Sequence, residues 1–280
     1  VTVGVVFLLG MLAASITTRR AEIASIMNNK KVEIKGIESR SEIFAENYPR
    51  EYDTWLETMD TSFESKYNGS SVVDVLEQRP EMVVLWAGYA FSKDYGTPRG
   101  HMHMIEDLYN TLRTGSPMNP EDGPQPATCW TCKSPDVPRM MDSLGVAEYY
   151  KGTWASLGHE IVNPVGCADC HEPETMNLQI SRPALVEGLA NSGQDINKMS
   201  QQDLRSLACA QCHVEYYFQP ETNYLVFPWH NGLTMEGGEK YYDEVGHVDY
   251  VHKLSRAPIL KAQHPDYEIF KMGIHGQRGV

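Results

Sequence analysis

Cys129-Trp130-Thr131-Cys132-Lys133, Cys167-Ala168-Asp169-Cys170-His171 and Cys209-Ala210-Gln211-Cys212-His213 account for all six cysteines of the chain. The spacing within each pair is the same, and no cysteine is left over. Two of the pairs are followed at once by His, the signature of covalent c-type haem attachment. The chemistry explains the pattern: two thiols add across the two vinyl groups of one haem, and the next residue is carried under the iron as its proximal ligand. Three other readings use the same spacing. Zinc held by two pairs gives no reason for His to follow the second Cys twice. A disulfide across two intervening residues closes a tiny loop and constrains little of the unfolded chain. A thioredoxin-like redox pair belongs at a βα junction, and no βαβ pattern surrounds these sites. Haem is therefore expected at the two His-containing pairs, while the Lys133 pair, taken by itself, stays open.

The chain around these motifs has 280 residues, 41% of them hydrophobic, enough for a buried core in one large domain or two modest ones. Its formal charge of -13 and the lack of a Lys/Arg-rich run argue against binding a phosphate backbone, so no nucleic-acid partner is expected. Val1 to Thr18 carries no charge and ends at Arg19 and Arg20, which predicts a signal peptide, with a cut site near Ala13-Ala14-Ser15, or an N-terminal membrane anchor over residues 1–20. The chain does not begin with Met, so upstream residues are expected. Either reading exports residues 21–280.

Polar sequence with spaced Ile, Val and Phe predicts helices between Ala21 and Trp55. Met104, Leu108 and Leu112 recur at helical spacing, and Arg113 is expected to close that helix before Gly115. From Ser116 to Pro126 the prolines and Gly123 predict a surface loop. Pro183 to Leu189 and Ser200 to Leu207 read as helices, the second capped by Ser200 with Asp203 three residues on. Tyr224 to Phe227 suits a short strand and Thr234 to Glu244 a helix. The expected fold is mainly α, a multihaem c-type cytochrome with little regular β structure, built around covalently attached haems.

With these residues in place, the sequence resembles the ammonia-forming pentahaem cytochrome c nitrite reductases over most of its length after the targeting segment. Cys129-Trp-Thr-Cys132-Lys133 carries the resemblance furthest, because in that family the catalytic haem is bound through a C-x-x-C-K motif whose lysine replaces the proximal histidine. An amine binds iron only when neutral, which burial and the metal favour. The resemblance implies a six-electron reduction of nitrite to ammonium at that haem, with three haem c sites in this chain and five in the complete protein. A hydroxylamine or sulfite reductase of the same kind, and a non-catalytic electron-transfer cytochrome, are the alternatives.

The resemblance also implies roles residue by residue. Glu215, the carbonyls of Tyr216 and Lys261, and Gln263 match a calcium site of oxygen ligands. Arg113, Tyr216 and His264 match the residues of the distal pocket, where a guanidinium, a phenol and an imidazole supply fixed charge, a hydrogen-bond donor and a titratable proton. Lys133, His171 and His213 would be the proximal iron ligands; His101 would face the third haem from the other side, and His275 a fifth. His103, His159, His230, His247 and His252 match no site and are expected to be surface or structural residues. The family continues with two further C-x-x-C-H motifs beyond the position of Val280, so a truncated sequence is expected. The complete protein is expected to be a periplasmic homodimer, fed by a membrane-associated quinol-oxidising cytochrome, and tethered to the inner membrane by its N-terminal segment where that segment is an uncleaved anchor.

Overall fold

The computed structural model describes residues 2–28, 30–64, 66, 71–112 and 125–279. Helices dominate, and the described strands form only two antiparallel pairs: Tyr217–Phe218 with Leu225–Val226, and Tyr250–Val251 with Pro258–Ile259. The fold is mainly α, as the sequence predicts.

The N-terminal apolar run forms one helix, Thr2–Asn28, that continues through Arg19 and Arg20. Thr2–Ser25 has a mean hydropathy of 1.6, none of it buried, and is long and apolar enough to cross a membrane. The predicted helices before Trp55 are Ser41–Ala45 and Pro49–Leu56, the latter opened by Pro49, whose fixed φ suits the first helical turn.

Around the motifs, the helices Asp136–Leu144, Val146–Lys151, Trp154–Gly158, Pro183–Asn191 and Gln201–Ala210 enclose the core. Trp130, Trp154, Trp229, Tyr149, Tyr150, Leu185, Leu189 and Leu207 are all fully buried there. Trp130 and Trp154 stack at 3.4 Å with their planes 4° apart, and the Trp130 Nε1–H donates to the Trp154 carbonyl at 3.0 Å. Trp130 lies between Cys129 and Cys132, so the core is built directly onto the first attachment turn. Gly188 is needed where Pro183–Asn191 crosses the second strand's exit: a Cβ there would lie 3.1 Å from both Phe227 and Trp229.

The capped helix after Ser200 forms as expected. Ser200 Oγ accepts from Asp203 N at 3.1 Å and Asp203 Oδ2 accepts from Ser200 N at 3.2 Å, so both orphan donors are satisfied. Thr234 caps the helix Met235–Val245, and Leu225–Val226 is the strand expected near Tyr224. One expected helix is shorter than its apolar spacing suggests: Met104–Tyr109 ends before Leu112, which is 67% exposed. Leu112 instead donates its N–H to Asp94 Oδ2 at 2.6 Å, so a side-chain acceptor has replaced the next helical turn. Arg113 and most of the predicted loop from Ser116 lie outside the described residues.

Candidate functional site

The first attachment turn is a 3-10 turn, Ala127–Trp130, held from three directions. Beyond the tryptophan stack, Tyr149 Oη donates to the Ala127 carbonyl at 3.1 Å and Thr128 Oγ1 to the Asn223 carbonyl at 2.5 Å. Lys133 follows, half-buried, and among the described residues its ammonium makes no ion pair and no hydrogen bond. A lysine side chain turned into protein without a carboxylate partner is uncommon, since burial penalises its charge. His264 is close enough to Lys133 to feel its charge, and Tyr216 packs against His264. Their ring centroids are 5.3 Å apart. Burial, followed by the positive charge of Lys133, pushes His264 down to about 4, so its imidazole is neutral near pH 7. His264 Nδ1 accepts from Val214 N at 3.3 Å, which places the single ring proton on Nε2. Burial, with the neighbouring thiols Cys132 and Cys129 adding to it, holds the Tyr216 phenol well above its ordinary value, so it stays an O–H donor.

The second motif forms the short helix Cys167–Cys170, with Asp169 Oδ2 accepting from Gly166 N at 2.8 Å. His171 Nδ1 lies 2.8 Å from the Met176 carbonyl; only a ring N–H can make that bond, so Nε2 keeps a free lone pair. Cys167, His171, Phe44, Tyr48, Tyr52 and Met176 line a cavity of about 410 Å³. A mostly apolar cavity with two thiol-motif residues and one presented imidazole nitrogen fits a covalently held macrocycle.

The third motif begins on the last turn of Gln201–Ala210, which carries Cys209, and runs into Cys212 and His213. Asp266 Oδ2 is 3.0 Å from His213 Nδ1, again leaving Nε2 for a metal, with the carboxylate fixing the ring as second partners of ligating histidines do. The His101 ring lies 6.3 Å from that of His213. Metal–imidazole bonds of about 2 Å put two rings on opposite sides of one metal with centroids roughly 6 Å apart, so this pair has the spacing of an axial couple. His275 is exposed on the helix Ile274–Arg278, and its imidazole makes no hydrogen bond or ion pair among the described residues.

All six cysteines are free thiols. Among the described residues no three His, Cys, Asp or Glu side chains converge into a cluster. The Cys132 thiol lies 3.9 Å from the carbonyl of Gln211, the residue before Cys212, so the first and third turns abut.

Glu215 leaves the third motif into a buried polar cluster. Tyr242 Oη donates to its Oε1 at 2.9 Å and Gln263 N to its Oε2 at 2.6 Å. Burial raises the Glu215 carboxyl to about 7. Next to it the Lys261 ammonium is held by Gln263 Oε1 and, at 3.1 Å, by the Ala262 carbonyl. A positive charge resting on neutral oxygens is a stand-in for a hard cation, and the donor set of carboxylate, amide and carbonyl oxygens is the kind calcium takes. Asp249 organises the segment: its Oδ2 accepts from Lys261 N at 2.6 Å and its Oδ1 from Gln263 Nε2 at 2.9 Å. The sequence reading missed Asp249, Tyr242 and Asp266 because each acts across the fold and none lies in a motif. The unassigned His252 is structural, bonded to Ser255 Oγ at 2.8 Å and to the Val84 carbonyl at 2.9 Å.

The motif geometry agrees with the comparisons. The sequence profile of the cytochrome c552 family matches residues 40–280. The chain belongs to that family. It is 70% identical over 279 residues to cytochrome c-552 of Parabacteroides distasonis, covering 100% of this chain and 56% of the relative. With cytochrome c-552 of Bacteroides thetaiotaomicron it shares 66% identity over 276 residues, covering 99% and 56%. Among solved structures, the catalytic subunit of cytochrome c nitrite reductase from Desulfovibrio desulfuricans superposes with a TM-score of 0.78 at 33% identity, covering 89% of this chain and 58% of that one. That subunit is described with two calcium sites. The chain thus spans about half the length of the curated cytochromes c-552 that it matches.

Proposed function

We propose that this cytochrome c552 family member carries haem c on all three cysteine pairs and that the full-length protein reduces nitrite to ammonium at the Lys133 haem. The observation that carries the reading is Lys133 itself: half-buried, without a charge partner among the described residues, and following the second cysteine where the other motifs have His. Bound haem would supply the iron on which nitrite is reduced and the relay that brings six electrons to it.

The residues of this chain supply the rest. Lys133 would supply its amine as a ligand to the iron of the first haem. His264 presents its Nε2–H as a proton donor to a departing oxygen, and Tyr216 presents a phenol that stays protonated. Arg113, by the family resemblance, would add a fixed positive charge for the anion. Glu215, the Tyr216 and Lys261 carbonyls and Gln263 would hold calcium beside this pocket, so that Tyr216 belongs to both. His171 would ligate the second haem, and His213 with His101 the third; His275 would serve a haem outside this chain. Residues 1–20 would target or anchor the protein and residues 21–280 carry the haem sites. Export to the periplasm, a membrane-bound cytochrome as electron donor and a homodimeric assembly complete the reading.

The test is His264→Ala in the full-length, haem-loaded protein. Removing a positioned proton donor should cost on the order of 100-fold in nitrite turnover, about 3 kcal/mol of transition-state stabilisation, with haem content unchanged. Normal turnover would show that His264 is not the proton donor, whereas a haem-loaded wild type that does not reduce nitrite would be a pure electron carrier.

A further inference from the structure

Each attachment turn has two residues between its cysteines, and the second of these is Thr131, Asp169 and Gln211 respectively. All three meet at one buried residue, Arg182. Its Nε donates to the Thr131 carbonyl at 3.0 Å, and its Nη2 donates to the Ser134 carbonyl at 2.8 Å and pairs with Asp169 Oδ1 at 2.5 Å. Its main-chain N–H donates to Gln211 Oε1 at 3.1 Å, which also accepts from Ser181 N at 2.6 Å. Gln211 Nε2 closes the ring by donating to the Asp169 carbonyl at 2.9 Å. Arg182 and Gln211 are each 1% exposed, Asp169 5% and Thr131 0%.

We infer that Arg182, balanced by Asp169, is a positioning residue that ties the three turns together at the same point of each and sets the charge that their haems share. This rests on the haem reading above. The chemistry favours arginine for the task, because its planar fork reaches a carboxylate and two carbonyls at once, whereas lysine offers a single point charge. Stability alone does not account for the pair, since buried ion pairs are often replaced by apolar residues without loss; fixing the register of three separate segments does. The buried location adds an electrostatic consequence. Charge near a haem is one of the terms that set its potential, and in a low dielectric that term is strong. A cation favours the reduced haem and an anion the oxidised one, so the pair holds two opposite influences in balance.

The experiment uses the full-length, haem-loaded protein with Arg182→Gln, Asp169→Asn and the double variant, measured by mass spectrometry of the denatured chain and by a spectroelectrochemical titration. With haem content intact, Arg182→Gln should move the haem potentials down, Asp169→Asn should move them up, and the double variant should return towards the wild type. Shifts of the same sign in both single variants, or no shift, would overturn the inference. If a substitution instead prevents maturation, haem should be lost from all three turns together; loss from one turn alone would overturn it. A wild-type protein without covalent haem would refute the haem reading itself, a separate result.

Discussion

Replacing Lys133 by His in the full-length protein should keep covalent attachment, which depends on Cys129 and Cys132, and change the iron's ligand field. The expected outcome is three haem additions for the three motifs as in the wild type, an altered electron paramagnetic resonance spectrum and slower nitrite turnover. An unchanged spectrum would make Lys133 a bystander. Glu215 gives a pH-dependent outcome. Its carboxyl is raised to about 7, so the metal-free fold favours the protonated form more than the unfolded chain does. The stabilisation is full below the ordinary glutamate value and is lost as pH rises through about 7. Calcium binds the ionised form, so it should release a proton below pH 7 and few above it. Differential scanning of the metal-free protein should therefore show a thermal midpoint that falls between about pH 5 and about pH 8. Added calcium should restore most of that fall, and Glu215→Gln should abolish the calcium effect.

Among the secondary-structure elements, Gln201–Ala210 has the clearest local cause: Ser200→Ala removes a reciprocal cap and should cost about 1 kcal/mol in chemical denaturation, with the spectrum of the third haem retained. A loss too small to measure would mean that packing of Leu207 and Ala210 holds the helix without its cap. This helix was legible in the sequence because cap, spacing and composition agree within a few residues. The end of Met104–Tyr109 was not, since Leu112 continues the apolar spacing and only the distant Asp94 carboxylate stops the helix. The candidate site divides the same way. Cys-x-x-Cys turns and the residue after each are local patterns, and at both His171 and His213 it is Nδ1 that the fold engages. Asp266, Asp249 and Arg182 are set by contacts across 53, 12 and 13 residues of chain, or more, and no local pattern marks them.

At the scale of the whole molecule, the helices after the N-terminal one are short, two small hairpins accompany them among the described residues, and the largest buried side chains gather mostly in one core that includes Trp130. Burying a large apolar side chain contributes roughly 1.5–3 kcal/mol, and Trp130, which belongs to the first motif, adds its share to that gain. The contact of Cys132 with Gln211, the residue before Cys212, then bears on the order of events in making the protein. A chain that reaches an oxidising compartment and folds before its cofactors are in place brings together two thiols that start far apart in sequence, and air or an oxidoreductase can join them. Each thioether formed beforehand makes its sulfur inert to that reaction. Haem thus serves as a protecting group as well as a redox centre. Chain secreted without it should yield a Cys132–Cys212 cross-linked peptide on non-reducing digestion, absent from the matured protein and from a Cys212→Ser variant.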